Sequence, residues 1–414
     1  MIHWRLGMIG WCLVAGCSRP VSAAQSARPG AAPVVRPGIE VLLTDSLALV
    51  AGKRVGLLTN SSGVDALGVS DVERLRAAGV HLIAAFSPEH GYRGSAAPGA
   101  AVASTVDSAT GLPIYSLYGS NSAPSDTMLA GLDLILVDLQ DAGARYFTYL
   151  ATTVGVMRAA GKHGIKVLIL DRPNPIAGAV EGNVLDTAFS SAVGLLAVPM
   201  RHGLTLGELA LLARHDLAIH VDLAVVPVAG WRRSMDYDRV GLPFIPPSPN
   251  LKSVESLFHY PGTCLFEATA LSVGRGSDAP FEQLGAPWLD TTSLLLTLRD
   301  AALPGVTFSS VKFTPRQPGD GKYADTLLAG IRLRISDRQS YDPVLTAVTI
   351  LTILERQAPD RLNIDPRRFD RLAGGSELRQ SILAGRAAGE IASGWNPALK
   401  QYRERRRPFL LYPE

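Results

Sequence analysis

The sequence predicts an α/β fold: a doubly wound, mainly parallel sheet followed by a smaller α+β domain. Strand-like apolar runs alternate with helix-period segments from residue 41 to about residue 200, the pattern of a parallel sheet wrapped by helices. Four of those runs end abruptly in a polar turn punctuated by Gly or Pro. Residues 54–58 lead into Thr59-Asn60-Ser61-Ser62-Gly63, and 81–86 into Ser87-Pro88-Glu89-His90-Gly91-Tyr92-Arg93-Gly94. Residues 132–137 lead into Asp138-Leu139-Gln140-Asp141-Ala142-Gly143-Ala144-Arg145, and 166–170 into Asp171-Arg172-Pro173-Asn174-Pro175. In an open parallel sheet the loops at the carboxyl ends of the strands share one edge and form the ligand crevice. Asn60, Glu89, Asp138, Asp141, Arg145, Asp171 and Asn174 are therefore expected to converge.

The elements follow in order. Residues 55–59 read as the first strand and 71–78 as a helix with Ser70 as N-cap. Residues 81–86 are the second strand, and a Gly/Ala/Ser/Pro stretch over 95–111 is a long loop. Residues 132–137 form a buried strand. Phe147, Leu150, Ala151, Val154 and Met157 give 146–160 a helical period that stops at Gly161. Residues 166–170 are the next strand. Beyond Pro199 the character changes. A helix is expected over 205–214, strands over 224–228, 262–273 and 330–335, and helices over 291–301 and 343–356. Pro243, Pro246, Pro247 and Pro249 exclude regular structure from 241–250. The chain thus divides into a leader (1–17), a tether (18–38), an α/β domain (39–200) and an α+β domain (201–414).

The 414 residues, 47% hydrophobic and 19% charged, are enough for two cores. A net charge of +3 with scattered Lys and Arg excludes a nucleic-acid footprint, and Arg403-Glu404-Arg405-Arg406-Arg407 reads as a solvated helix end. No His/Cys/Asp cluster has metal-ligand spacing, so no metal is expected. Gly274-Arg275-Gly276 lacks the glycines of a dinucleotide loop and no phosphate-loop pattern occurs, so no cofactor is expected either.

The start of the chain is a targeting segment. Arg5 precedes a short apolar run over 6–13, and Val14-Ala15-Gly16-Cys17 has the form of a bacterial lipobox. The run is too short to span a bilayer, whereas acyl chains on Cys17 would anchor the protein. An ordinary signal peptide cut nearby is the alternative. Ser18, in place of Asp, favours an outer-membrane lipoprotein facing the periplasm. Of the three cysteines, Cys12 leaves with the leader and Cys17 is acylated. Cys264 then stands alone and is expected as a buried thiol in a strand.

Glu89 is the strongest candidate for chemistry. Pro88 and Gly91 frame a sharp turn that presents Glu89 and His90, with Phe86 and Tyr92 as the apolar surround a general acid needs. The alternative is a Glu that caps its own turn. Asp138 and Asp141 could act as acid and base or grip sugar hydroxyls; equally, Asp141 could cap a helix starting near Ala144. Arg93, Arg145, Arg172, Arg201 and Arg275 form a second theme, because a planar guanidinium grips a carboxylate bidentately. Each is otherwise a structural ion pair. Tyr115 and Tyr118 could stack on a sugar, with packing the simpler role.

These motifs resemble a family of bacterial exo-β-N-acetylmuramidases. The resemblance runs through Gly56-Leu57-Leu58-Thr59-Asn60, the Pro88-Glu89-His90-Gly91 turn, Val137 to Tyr146, and Leu170 to Pro175. It continues through Arg201-His202-Gly203-Leu204-Thr205-Leu206-Gly207-Glu208, Pro246-Pro247-Ser248-Pro249-Asn250, Tyr260-Pro261-Gly262-Thr263-Cys264-Leu265-Phe266-Glu267 and Gly274-Arg275-Gly276. It implies a Rossmann-like N-terminal domain, a smaller C-terminal domain and an active site between them. It implies release of N-acetylmuramic acid from the non-reducing end of peptidoglycan fragments, without a cofactor. The family's essential glutamate falls on Glu89, and the other matched polar positions, from Asn60 to Asn250, Glu267 and Arg275, become substrate-binding candidates. A non-catalytic envelope lipoprotein that binds muropeptides or another acidic sugar is the rival reading.

Overall fold

The computed structural model describes residues 35–97, 99–119 and 122–414, and these pack as one compact unit. Twelve strands form: β1 Arg54–Thr59, β2 His81–Ser87, β3 Thr105–Val106, β4 Pro113–Ser116, β5 Leu134–Asp138, β6 Lys166–Leu170, β7 Glu181–Val184, β8 Pro199–Arg201, β9 Leu223–Val226, β10 Gln283–Ala286, β11 Val306–Phe313 and β12 Leu328–Ile335. A seven-stranded sheet runs in the order β3-β4-β2-β1-β5-β6-β9, parallel throughout except for the β3–β4 pair. The chain leaves β1 toward β2 on one side and returns through β5 on the other, so the strand order reverses between β1 and β5. That is the switch point at which an open α/β sheet forms its crevice.

The sheet is buried on both faces. Ile135 and Val137 of β5 join one core with Val167 and Ile169 of β6. Leu134 and Leu136 join the other with Leu168 and Leu170. This period-2 alternation of apolar residues onto two faces is why β5 and β6 read as continuous hydrophobic runs. Helices α1 Gly38–Asp45, α2 Asp71–Ala77, α3 Asp126–Leu129, α4 Tyr149–Lys162 and α5 Leu206–Asp216 accompany the sheet. Ser70 caps α2 by accepting from the Glu73 amide, as its position suggested. Strand β9 completes the main sheet from beyond residue 200.

The rest of the chain forms α6 Val254–Thr263, the antiparallel sheet β10-β12-β11, α7 Thr291–Ala301, α8 Pro343–Gln357 and five short helices ending in α13 Asn396–Arg406. The core under α4 continues without a break into Leu257, Leu284, Ile331 and Val344. Three expectations need correction. Residues around Cys264 are helical, because Ser253 and Ser256 build a reciprocal capping box that starts α6. The C-terminal arginine run is solvated only in part: Arg403, Glu404 and Arg407 are exposed, but Arg406 is buried and donates to the carbonyls of His202 and Gly203 at 3.2 and 3.1 Å, and Arg405 donates to Ala197. The tether ends before residue 38: Val35 is buried and Gly38 already lies in α1, its amide on the Asp171 carbonyl at 2.8 Å. Residues 1–34, including Cys17, lie outside the described residues. Among those described, no helix is long and apolar enough to cross a membrane.

Helix α5 anchors the C-terminus. Glu208, in a capping box with Thr205, receives Arg233 at 2.6 Å and the Leu411 amide at 2.8 Å with no solvent exposure. Asp171 accepts from the Thr205 hydroxyl, the Gly207 amide and the Tyr412 hydroxyl at 2.6, 2.8 and 2.5 Å. Replacing Arg233 by Met would strand the Glu208 charge. The expected loss is about 3–5 kcal/mol of unfolding free energy in urea titrations.

Burial lifts the Asp171 pKa to about 6 even against those three donors. The native state therefore holds a proton that the unfolded chain has released above the usual carboxylate range. Its contribution to stability should fall as pH rises from about 4 to about 6 and then level off. Asp171→Asn, which can turn its amide toward the two hydroxyls, should flatten that slope in denaturation measured at several pH values.

Candidate functional site

The turn after β2 places Glu89 and His90 on the wall of a cavity of about 190 Å³. His90 and Gly91 both adopt left-handed backbone, with φ of 71° and 73°, which aims consecutive side chains out of the sheet edge. Glu89 is half-buried. Its Oε2 accepts from the Thr148 hydroxyl at 2.8 Å and its Oε1 from the Gly99 amide at 3.1 Å, so neither oxygen meets a permanent positive charge. His90 Nδ1 donates to the Ala96 carbonyl at 2.8 Å, and burial lowers its pKa. The ring is then neutral, with Nε2 as an acceptor. Beside them, burial and the Glu89 charge push the Tyr118 hydroxyl up to about 12.

The facing wall comes from the C-terminal half. Tyr260 of α6 meets Phe281 edge-on at 4.9 Å and Tyr146 at 6.0 Å, lining the cavity with rings. Glu267 and Arg275 complete it, joined by an ion pair of 2.5 Å through Arg275 Nε. The guanidinium lies 5.0 Å over the Phe281 ring, and Arg275 Nη1 is buried without a hydrogen-bond partner. Gly274 and Gly276 flank Arg275 with φ of 76° and 77°, and a Cβ on Gly276 would lie 2.4 Å from the Arg316 carbonyl oxygen. Only glycine permits that approach.

Of the other strand-end residues, Asp138 and Arg172 meet each other, and the rest are held by partners of their own. Arg172 is held by Asp138 through two hydrogen bonds, with Asp71 3.8 Å away and the Val64 carbonyl at 2.7 Å. All three are buried, and burial raises both carboxyls, Asp71 further through the neighbouring Asp138 charge, while Arg172 opposes the rise. Asn60 bonds Tyr149 at 2.6 Å and Ser62 at 2.6 Å. Asp141 does not cap a helix: it accepts from the Gly143 amide at 2.6 Å and faces His202 at 3.4 Å, while α4 begins only at Tyr149. Asn174 bridges the Ile176 amide and the Leu204 carbonyl. Arg145 is buried without a carboxylate, spent on the carbonyls of Asn183, Val198 and Leu372, and burial lowers it to about 10. None of these side chains lines the cavity with Glu89.

Arg201 lines a different and larger cavity of about 690 Å³, where it pairs with Glu181 at 2.8 Å and Arg338 pairs with Asp238 at 2.5 Å. Arg93 is exposed. Asn250 is half-buried, next to Ser248 and Leu251, which do line the Glu89 cavity. Tyr115 packs on Phe86 at 5.8 Å. Thr148, Tyr146, Tyr260 and Phe281 are not among the site residues the sequence suggests, although Tyr146 and Tyr260 lie in matched motifs. Among the described residues, no group of three or more His, Cys, Asp and Glu is placed to hold a metal ion.

Comparison with known proteins agrees with this architecture. The model for the N-terminal region of the exo-β-N-acetylmuramidase NamZ matches residues 55–255, and that for its C-terminal region matches 258–412. The peptidoglycan β-N-acetylmuramidase NamZ of Bacillus subtilis is 40% identical over 403 residues, covering 97% of this chain and 96% of that protein. Two crystal structures of DUF1343-family proteins from Bacteroides fragilis superpose with TM-scores of 0.84 and 0.75 at 34% and 32% identity, each covering 92% of this chain and 99% of the other. With both family regions matched in order and a 40% identical relative aligned almost end to end, the chain belongs to the NamZ exo-β-N-acetylmuramidase family.

Proposed function

We propose that this chain is an exo-acting glycoside hydrolase that removes N-acetylmuramic acid from the non-reducing end of peptidoglycan fragments, with Glu89 as its general acid. The observation that carries this reading is the pairing of walls in one small cavity. Glu89 lies on one wall, and the Arg275 side chain lies on the other. At about 190 Å³ the cavity is below the usual range of ligand pockets, roughly 300–1,000 Å³, which suits a terminal sugar better than a stretch of glycan.

Cleavage needs a proton delivered to the leaving glycosidic oxygen. Glu89 is held by two neutral donors, Thr148 and Gly99, which fix its direction without pairing it to a cation. The Glu267 carboxylate, tied to Arg275, and the Nε2 acceptor of His90 are the groups available to orient water or sugar hydroxyls. The muramic sugar differs from glucosamine by an anionic lactyl ether, and Arg275 is the cavity's guanidinium. We also propose that Cys17 carries the lipid anchor and that the protein faces the periplasm from the outer membrane. The lipobox form of Val14-Ala15-Gly16-Cys17 supports this. Palmitate labelling of wild type but not Cys17→Ala tests it.

Glu89→Gln keeps the shape and removes the titratable proton. On a chromogenic β-N-acetylmuramide with a poor leaving group, kcat should drop by about 10²–10⁴-fold with an unchanged melting temperature. A muropeptide-binding protein without catalysis would instead show no turnover in either form.

Arg275→Lys keeps the charge but loses the planar fork. It should lower kcat/KM on the muramide by about 10–10²-fold, equivalent to about 1.5–3 kcal/mol for a charge-assisted contact. Residual activity on the matching glucosaminide should change far less. Equal losses on both substrates would remove Arg275 from lactyl recognition.

A further inference from the structure

Lys322 reaches the back of the cavity wall that carries Glu267. Its Nζ donates to the backbone carbonyls of Thr269 and Leu271 at 2.6 and 2.8 Å, and to those of Phe266 and Glu267 at 3.1 Å each. An ammonium has three protons, so four carbonyls share its charge rather than receive one bond apiece. The neighbouring Ala270 carbonyl is taken by the Tyr323 hydroxyl at 2.7 Å, and the Thr269 hydroxyl closes the turn by donating to Phe266. Carbonyl dipoles aimed at one point repel each other unless positive charge sits among them. Rings of carbonyl oxygens are also how proteins replace the hydration shell of an alkali cation. Burial lowers Lys322 to about 8, which leaves the ammonium as the main form at neutral pH.

The caged segment matters because of what it carries. Glu267 supplies one of the four carbonyls and, through its side chain, the ion pair with Arg275. Gly276, after Arg275, accepts the Arg316 amide at 2.7 Å from the same loop that delivers Lys322. Lys322 therefore braces the segment between the two charged residues of the cavity wall.

We propose that the Lys322 ammonium is a tethered stand-in for a monovalent cation, that the carbonyls of Phe266, Glu267, Thr269 and Leu271 form a latent potassium or ammonium site, and that Lys322 is the positioning residue for the Glu267–Arg275 wall. The positioning role rests on the reading of this cavity as the substrate site; the cation site does not.

Lys322→Ala vacates the cage, and Lys322→Met fills it with an apolar chain. Both are assayed in potassium or ammonium chloride and, at matched ionic strength, in tetramethylammonium chloride, whose cation is too bulky for the cage. In tetramethylammonium, Lys322→Ala should lose about 10²-fold in kcat/KM on the muramide, as a displaced wall would. Potassium or ammonium should recover about tenfold or more of it and raise the melting temperature, as any ligand of the native state does. Lys322→Met should stay impaired in every salt and wild type should not respond. Indifference of Lys322→Ala to the cation, equal rescue of Lys322→Met, or failure of Lys322→Ala to fold even in potassium would each overturn the proposal. If wild type proves inactive on muramides, the cation-dependent melting of Lys322→Ala still decides the cage by itself.

Discussion

A buried guanidinium, that of Arg172, ties the loops at the crevice edge of the sheet. It leaves the end of β6, lies on Asp138 at the end of β5, reaches the Val64 carbonyl beyond β1 and stands 3.8 Å from Asp71 at the start of α2. Loops that would otherwise be independent are thus fastened to one charge. The cluster has one positive group between two carboxyls. Away from solvent the surplus negative charge is costly, which raises both carboxyls above the usual carboxylate range. This arrangement occupies the neighbourhood of the strand-order reversal, where a doubly wound sheet ordinarily receives its ligand. The Glu89 cavity opens farther along the edge, after β2, against the C-terminal half.

That displacement explains how much of the site was legible in the sequence. Glu89, Asp138 and Asp171 share one local signature, an acid at or within three residues of the end of an apolar run. Sequence pattern placed all three at the same edge, which is where they lie. It could not tell which acid has a cation or donor set within reach, because Arg172, Thr205 and Tyr412 are supplied by loops and a terminus far along the chain. Asp138 and Asp171 are consumed by those partners, whereas Glu89 meets only a hydroxyl and an amide. Arg275 was legible for a physical reason: two glycines around an arginine mark a backbone that must turn left-handed, and both do. Arg145 carried no such mark, and it staples the carbonyls of Leu372 and Val198 instead.

Elements followed the same logic. Strand β6 and helix α7 fell on the residues expected, since each is bounded by turn chemistry as well as by period; Asp290 caps α7 through the amides of Thr292 and Ser293. Residues 262–268 read as strand because their aromatic and β-branched side chains fit both forms, and the deciding signal is the Ser253–Ser256 cap that starts the helix ahead of them. The start of α4 was placed three residues early for a related reason. Tyr146, Phe147 and Thr148 continue the apolar pattern, yet their side chains serve the cavity rather than the helix.

The cavity itself is held from both sides by backbone that ordinary residues avoid. His90 and Gly91 turn left-handed under Glu89; across the cavity Gly274, Gly276 and Phe281 do the same, Phe281 at a φ of 66°. A bulky residue in that region costs of order 1–3 kcal/mol and persists only where its surroundings over-determine it. Here the surroundings are identifiable. Phe281 is fixed by its amide on Val273 at 2.7 Å, by Tyr260 against its ring and by the Arg275 guanidinium over its face. Arg275 is fixed in turn by Glu267, and the Glu267 segment by Lys322. The Arg275 guanidinium therefore stands at the end of a chain of constraints that reaches outward to a single ammonium. A guanidinium so braced meets an incoming carboxylate with little side-chain freedom left to lose, which is what converts a charge in a cavity into a directional contact.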